Sequence, residues 1–89
     1  MNFEWDLRKA AANQRKHRVT FEESIEVFAD VQSSTIPDPD HSIGESRFLI
    51  FGTTREGRAL VVAFTERDAK IRLISARPMT RLERQAYER

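Results

Sequence analysis

Residues 47–77 read RFLIFGTTREGRALVVAFTERDAKIRLISAR. Three apolar runs, at residues 47–53, 58–66 and 70–77, are separated only by short polar turns. Because these turns are too short for a crossover helix, the runs predict three antiparallel strands in a meander. The middle of each run is β-branched and aromatic, and arginine stands at one or both ends. The stretch therefore predicts a sheet with a dry centre and guanidinium groups at its rims, which favours contact with phosphate.

The size and composition of the chain limit the classes of protein to which it can belong. Its 89 residues are enough for one small domain, over residues 1–89, with a modest core. No cysteine is present, so neither a disulfide nor a thiolate metal site can form. The N-terminus does not resemble a secretory signal, and no run of about 18 apolar residues could span a membrane. These features predict a cytoplasmic protein without membrane contact.

Charge is distributed unevenly along the chain. Residues 1–45 hold five basic and nine acidic side chains, whereas residues 46–89 hold ten basic and five acidic ones. Twelve of the fifteen basic residues are arginine, which favours recognition of phosphate or carboxylate. The base composition of the genome explains the same bias equally well. A net charge of only +1 fits a nucleic-acid-binding protein only if the basic groups cluster on one face.

Helices are predicted before and after the meander. The first spans residues 7–16 with Asp6 as its N-cap, after a short strand indicated by the alternation in residues 2–5. The second begins at Thr20 and ends near residue 30, and the third begins at Thr80; glutamate follows each cap by three residues, as in a capping box. Residues 32–44 read as a loop with at most a short strand at residues 35–36. We therefore predict an α+β fold with two N-terminal helices packed on an antiparallel β-meander sheet and a short C-terminal helix.

An imidazole, a carboxylate and a guanidinium lie close together where the long loop meets the first meander strand. They belong to His41, Glu45 and Arg47. Metal-independent RNA cleavage needs a base for the 2′-hydroxyl proton, cations that stabilise the phosphorane and an acid for the 5′-oxygen. His41 or Glu45 could be the base, and Arg47 the phosphate clamp. The alternative is an ordinary loop turn with a surface ion pair.

Arginines from later strands could complete this site. Arg67 at the second turn and Arg77 at the end of the third strand converge with Arg47 if the sheet face is concave. Arg72 differs in parity from Arg77, so we expect these two side chains on opposite faces. A solvated strand end is the alternative for each arginine. The further RNA-binding candidates are Arg72, Lys16, Arg81 and Arg84.

The same loop contains residue types that bind hard metal ions. They are Asp38, Asp40 and His41. The flanking prolines predict a rigid turn with solvated carboxylates, and the spacing matches no known metal cage. We therefore predict neither a metal site nor a cofactor.

Short motifs over nearly the whole chain follow one another in a specific order and spacing. They are Phe3-x-Trp5-Asp6 with Lys9 and Asn13, Lys16-His17, Phe21-Glu22-Glu23 with Val27-Phe28-x-Asp30, Asp40-His41-Ser42, Glu45-x-Arg47, Gly52, Arg67, Ile71-Arg72-Leu73-Ile74-Ser75-Ala76-Arg77, Glu83 and Tyr87. In this order they resemble the BrnT family of type II toxin-antitoxin toxins, small ribonucleases with a RelE-like fold. The chain departs from the family at Arg18, where glycine usually follows Lys-His, and Pro78 follows Arg77.

The resemblance implies a toxin that cleaves RNA, inhibits translation and growth, and is neutralised by a cognate antitoxin. The implied antitoxin is BrnA-like and binds DNA, so this chain would contact DNA only through it. The resemblance implies that the active-site candidates are His41, Glu45, Arg47, Arg67 and Arg77. On this basis we predict a metal-independent endoribonuclease. Two alternatives stay open: a non-enzymatic nucleic-acid or protein-binding module with an arginine-rich surface, and a structural subunit whose acidic first half pairs with a basic neighbour.

Overall fold

The computed structural model describes residues 1–39 and 44–88. Within these ranges the chain forms an α+β fold with a five-stranded sheet, as the predicted fold class requires. The elements are β1 (Asn2–Glu4), α1 (Leu7–His17), α2 (Phe21–Ile25), a 3₁₀ helix (Glu26–Ala29), β2 (Ser34–Pro37), β3 (Arg47–Thr53), β4 (Ala59–Arg67), β5 (Lys70–Pro78) and α3 (Arg81–Tyr87).

The predicted meander is confirmed for three strands. β3, β4 and β5 are neighbouring antiparallel strands, and each lies within one residue of its predicted bounds. The sheet extends further on both sides, with the strand order β1-β5-β4-β3-β2. Because β1 pairs with β5 in parallel, the prediction of a purely antiparallel sheet is wrong. A parallel pair needs a long connection, and here that connection contains most of the chain.

Local capping explains where the helices begin and end. The Asp6 carboxylate accepts N–H groups from the first turn of α1, as predicted. α1 ends at Arg18, whose φ of 57° and ψ of 38° lie in the left-handed region. Thr20 caps α2, but the expected capping box does not close because Glu23 forms an ion pair with Arg58 at 2.6 Å. The second predicted helix is α-helical only over α2, and the rest of it is the 3₁₀ helix.

The hydrophobic core lies on one face of the sheet. Phe21 of α2 and Val27 of the 3₁₀ helix are fully buried against it. Phe28 contacts both Phe3 and Phe64, and in each pair the ring centroids are 5.1 Å apart in edge-to-face geometry. The buried strand residues in this core are Ile50, Leu60, Val62, Phe64, Leu73 and Ala76.

Helix α1 is attached to an edge of the sheet through one buried side chain. β1 pairs with β5 only as far as Arg72, so the later part of β5 has a free edge on that side. The amide of Asn13 donates to the carbonyls of Ala76 and Val19 at 2.8 and 3.0 Å, and its oxygen accepts the Ala76 N–H at 2.9 Å. These bonds replace the missing strand partner, because a buried backbone group without a partner is costly. They hold α1 beside β5.

Candidate functional site

A β-bulge in β5 determines which arginines share a face of the sheet. Ala63 pairs with Ser75, and the next residue, Phe64, pairs with Leu73. Ile74 is therefore an extra residue in β5, while β4 remains regular. One extra residue reverses the alternation of side chains in the rest of the strand.

As a result, Arg72 and Arg77 lie on the same face, opposite to the core. Arg72 pairs with Thr65 and Arg77 pairs with Val61, and these β4 residues are separated by an even number of positions. The expectation that Arg72 and Arg77 occupy opposite faces is therefore wrong. We call this face, which carries Arg47, Arg67, Arg72 and Arg77, the arginine face.

Arg47 and Arg72 lie on either side of Thr65 at one end of the arginine face. Each is paired directly with Thr65, which is only 1% exposed and donates its hydroxyl to the Ser46 carbonyl at 2.6 Å. The Arg72 guanidinium lies 3.1 Å from a Glu4 carboxylate oxygen. The Nε of Arg47 is buried and has no hydrogen-bond partner among the described residues. This end of the face therefore holds two half-buried arginines on either side of one buried threonine.

Glu45 and Arg67 form a solvent-exposed pair at the same end. The Arg67 guanidinium donates from Nε and Nη2 to both carboxylate oxygens of Glu45, with distances of 2.9 to 3.1 Å. The two side chains are 45% and 47% exposed. Arg67 lies two residues beyond Thr65, so it is a diagonal neighbour of Arg47 across the β3–β4 pair. A carboxylate and three guanidinium groups thus share this end of the face.

Arg77 lies at the other end of the arginine face. Its partner Val61 is four residues from Thr65, which corresponds to about 13 Å along a strand. The Arg77 guanidinium binds both oxygens of Glu83, at 2.8 and 3.0 Å. This pairing lowers the pKa of Glu83 to about 2 and raises the pKa of Arg77. Arg47 and Arg67 therefore share one end of the face with Arg72, whereas Arg77, which was expected to converge with them, contacts α3.

A second polar contact holds α3 against the body of the protein. The Tyr87 hydroxyl donates to Asp30, which also accepts the N–H groups of Thr53 and Gln32 at 2.8 and 2.9 Å. These hydrogen bonds, with that of Tyr87 the strongest, lower the pKa of Asp30. Burial beside Asp30 raises the pKa of Tyr87. α3 has no buried residue, and these two polar contacts attach it to β5 and to Asp30.

The remaining predicted residues occupy different parts of the molecule. Lys16 is exposed near the C-terminus of α1 and lines a groove of about 280 Å³ beside Ile74 and Ser75. The exposed side chains of Arg81 and Arg84 are on α3, near the Arg77 end of the arginine face. Asp40 and His41 lie outside the described residues, so the proton-transfer role of His41 stays a prediction.

Two partners of the arginines were missed in the sequence. Glu4 pairs with Arg72, and the alternation of Phe3 and Trp5 already places Glu4 on the opposite side from these apolar residues. Glu83 was identified only as a capping residue. Its carboxylate does accept the Thr80 N–H at 2.8 Å, and its contact with Arg77 uses both oxygens. Spacing along the sequence does not reveal these contacts, because they form only when β1 and α3 pack beside β5.

The described parts of the chain contain neither a cluster of metal-ligating side chains nor a membrane-spanning helix. Among residues 1–39 and 44–88, no three His, Cys, Asp or Glu side chains are grouped so that they could hold a metal ion. In the same ranges, no helix has both the length and the apolar character needed to cross a membrane.

Comparison with known proteins assigns the chain to a family. A family model described as the ribonuclease toxin BrnT of type II toxin-antitoxin systems matches residues 5–83. The crystal structure of the Brucella abortus ribonuclease toxin BrnT superimposes with a TM-score of 0.73 and 22% identity, covering 91% of this chain and 99% of that chain; at this identity the likeness shows the fold. No curated protein matches. Because the family model covers most of its length, the chain belongs to the BrnT family of ribonuclease toxins, which are paired with a cognate antitoxin in type II toxin-antitoxin systems.

Proposed function

We propose that this toxin cleaves RNA without a metal ion at the end of the arginine face that carries Arg47, Arg67 and Arg72. One observation supports the proposal above all. Arg47 and Arg72 are paired with Thr65 from either side, and Arg67, two residues further along β4, contacts the exposed carboxylate of Glu45. Guanidinium groups suit the planar, bidentate binding of phosphate, and a nearby carboxylate can accept a proton.

The proposed reaction is an internal transesterification of RNA. The 2′-oxygen attacks the adjacent phosphorus and the bond from phosphorus to the 5′-oxygen breaks, which leaves a 2′,3′-cyclic phosphate and a 5′-hydroxyl. A base takes the 2′-hydroxyl proton, and an acid protonates the departing 5′-oxygen. Charge develops on the nonbridging oxygens in the phosphorane, and fixed cations stabilise it. The reaction needs no co-reactant, because one phosphorus–oxygen bond forms as another breaks and one proton is taken up as another is released.

Glu45 and His41 share proton transfer in this proposal. The Glu45 carboxylate is accessible to solvent, and Arg67 fixes its position through several hydrogen bonds. An incoming phosphate would compete with this carboxylate for Arg67. Binding of substrate would thereby bring the base and the clamp to the same phosphodiester.

Arg77 has a more distant role in the proposal. Its separation from Thr65 along the sheet favours contact with a neighbouring phosphate rather than the one that is cleaved. Arg81 and Arg84 on α3 extend the basic surface at that end. Glu83 competes with RNA for the Arg77 guanidinium, so it must be displaced before Arg77 can bind a phosphate.

Membership of the BrnT family supports a proposal for the biological role as well. The toxin acts in the cytoplasm, where cleavage of RNA inhibits translation and growth. A BrnA-like antitoxin that binds DNA neutralises it, so this chain contacts DNA only through that partner. In this proposal residues 1–89 form a single toxin domain.

The experiment is to incubate purified toxin with RNA in the presence of a chelator. We expect cleavage by the wild-type protein and a loss of about 10²–10³-fold in rate for Arg67→Gln or Arg47→Gln, by analogy with removal of one stabilising donor. Arg55→Gln is the matched control, because Arg55 is 87% exposed in the turn between β3 and β4. Uncleaved RNA, or equal losses in all three variants, would overturn the proposed site.

A binding module without catalysis is the second candidate. One observation favours it. Arg67, Arg72 and Arg77 already contact carboxylates of the same chain, so these guanidinium groups are engaged before any substrate binds. Binding of RNA with strong salt dependence, but without products, would assign this function.

A further inference from the structure

Helix α1 carries an unbalanced positive charge. It contains Arg8, Lys9, Arg15, Lys16 and His17, has no acidic residue, and is followed by Arg18. Asp6 at its start is engaged as the N-cap by the N–H groups of Arg8 and Lys9. Neither Lys16 nor His17 forms an ion pair within residues 1–39 and 44–88. By contrast, Arg67, Arg72 and Arg77 of the arginine face each contact a carboxylate.

The basic side chains of α1 are divided between two sides of the helix. Lys9, Lys16 and His17 line a groove of about 280 Å³ against Ile74 and Ser75 of β5, which we call the α1–β5 groove. Lys9 and Lys16 are seven residues apart, which places them about 10 Å apart along the same side of the helix. Arg15 lines a different depression, with Ala11, Gln14 and Arg18.

The α1–β5 groove meets the arginine face at Ser75. Ser75 pairs with Ala63, and it lies on β5 between Arg72 and Arg77. Asn13 fixes the position of α1, because three hydrogen bonds join its amide to the backbone of β5 and to Val19. Lys9 and Lys16, which form no ion pair with another described residue, therefore stand at a fixed distance from the arginine face, and a chain crossing the edge of β5 at Ser75 would contact both.

The chemistry of this surface favours a sugar–phosphate backbone over an acidic protein. A protein partner usually needs an apolar centre in its interface. The apolar part of the groove is small, formed by Ala12 and the half-buried Ile74, and the large exposed apolar residue of α1, Leu7, lies outside the groove at the opposite end of the helix from Lys16. Two lysines on flexible stems can neutralise successive phosphates of a single strand as point charges, independently of base sequence.

We infer that the α1–β5 groove binds the backbone of single-stranded RNA next to the cleaved phosphate, through Lys9 and Lys16. This inference rests on the proposed function because it extends the path of the same substrate. The groove supplies affinity for longer RNA, whereas the groups at the end of the arginine face supply the chemistry. Removing the two lysines therefore weakens binding and raises KM for long RNA but leaves kcat unchanged.

The test compares two double variants of the full chain with the same change in charge. Lys9→Gln/Lys16→Gln removes two cations from the groove, whereas Arg8→Gln/Arg15→Gln removes two from the rest of the same helix, and glutamine preserves helix propensity. Binding of a fluorescent, fully 2′-O-methylated RNA, which cannot be cleaved, is measured by anisotropy over a series of salt concentrations. Circular dichroism confirms that both variants are folded.

We expect the groove variant to lose about 1.4 from the slope of log K against log salt, since each phosphate contact with a single strand contributes about 0.7. The control variant should lose less than half of that. Equal losses in the two variants, or unchanged binding in the groove variant, would overturn the inference. Loss of binding to an acidic peptide without loss of binding to RNA would also overturn it and would point to a protein partner.

This readout separates the inference from the proposed function. If the wild-type toxin does not cleave RNA but the groove variant still loses slope in the plot of log K against log salt, the inference about the groove is supported and the proposed reaction is wrong. If the toxin cleaves RNA and both variants have the same slope, the proposed reaction is supported and the inference about the groove is wrong.

Discussion

Arg47 and Arg72 lie on either side of Thr65, each paired with it across one strand boundary. Adjacent strands are about 4.8 Å apart, so the two arginine backbones are separated by about 10 Å. Both side chains are long enough to meet over the buried threonine. β4 thus keeps two guanidinium groups within reach of one phosphate, and its last residue, Arg67, adds a third beside Glu45.

The Glu45 carboxylate has opposite expected effects on binding and on chemistry. In Glu45→Gln the base is lost, so we expect kcat to fall by about 10²–10⁴-fold, the usual contribution of a general base. The same change removes the carboxylate that holds Arg67, so affinity for RNA that cannot be cleaved should rise. Single-turnover kinetics and equilibrium binding measure the two effects separately. Unchanged kcat would exclude Glu45 as the base.

The ion pair between Arg77 and Glu83 makes stability depend on pH in the acid range. The pKa of Glu83 is lowered from 4.5 to about 2 in the folded protein. Its contribution to the free energy of unfolding is therefore complete above about pH 4.5 and is lost as the pH falls towards 2. Glu83→Gln should be less stable at neutral pH, by about 1 kcal/mol, and should lose less stability on acidification than the wild type.

Urea unfolding between neutral pH and pH 2.5 measures this difference. Glu56→Gln, in the exposed turn between β3 and β4, makes the same change in charge away from α3 and is the control. If Glu83→Gln and Glu56→Gln follow the same pH profile, the pairing does not stabilise the fold.

Gly52 is required by the close packing of β3 against the 3₁₀ helix. A Cβ at this position would lie 2.7 Å from Cγ1 of Val27 and 3.2 Å from Cβ of Ser33. We expect Gly52→Ala to destabilise the protein by about 1–3 kcal/mol, as overpacked cores usually do. Val27→Ala creates space, so the double variant should be more stable than the sum of the single effects predicts. Strictly additive free energies of unfolding would contradict this packing.

Arg18 ends α1 in a conformation that glycine adopts without strain. Its φ is 57°, and a side chain in this region costs on the order of 1 kcal/mol. We expect Arg18→Gly to be neutral or stabilising in thermal unfolding. Arg15→Gly, within the same helix, should instead destabilise by about 1 kcal/mol. Equal destabilisation by both changes would mean that the left-handed end of α1 carries no strain.

Local patterns were sufficient to predict the elements of the fold. The bounds of β3, β4 and β5 follow from apolar runs separated by polar turns, and Thr80 with Glu83 forms the predicted capping box. Residues 2–4 form a strand, as their alternation indicated, but nothing local identified β5 as the partner. Pairing between residues so far apart in sequence depends on the whole fold.

The composition of the candidate site was harder to predict, because it depends on the bulge. Ile74 is β-branched and apolar like its neighbours, so the sequence contains no sign that it is an extra residue in the ladder. Counting parity along a regular strand separated Arg72 from Arg77, and the bulge brings both onto one face. The arginines were identified correctly as residues at the rims of the sheet; their grouping required the register.

The most direct test of the proposed chemistry is a substitution in the RNA rather than in the protein. The cleaved position of an RNA is first mapped, and a matched RNA is then made with a single 2′-deoxynucleotide immediately 5′ to the scissile phosphate. Both are incubated with the wild-type toxin in a chelator. Internal transesterification predicts that the unmodified RNA yields 2′,3′-cyclic phosphate ends, whereas the deoxy-substituted RNA is not cut at that position. Cleavage of both RNAs at the same rate, with 5′-phosphate ends, would contradict the account.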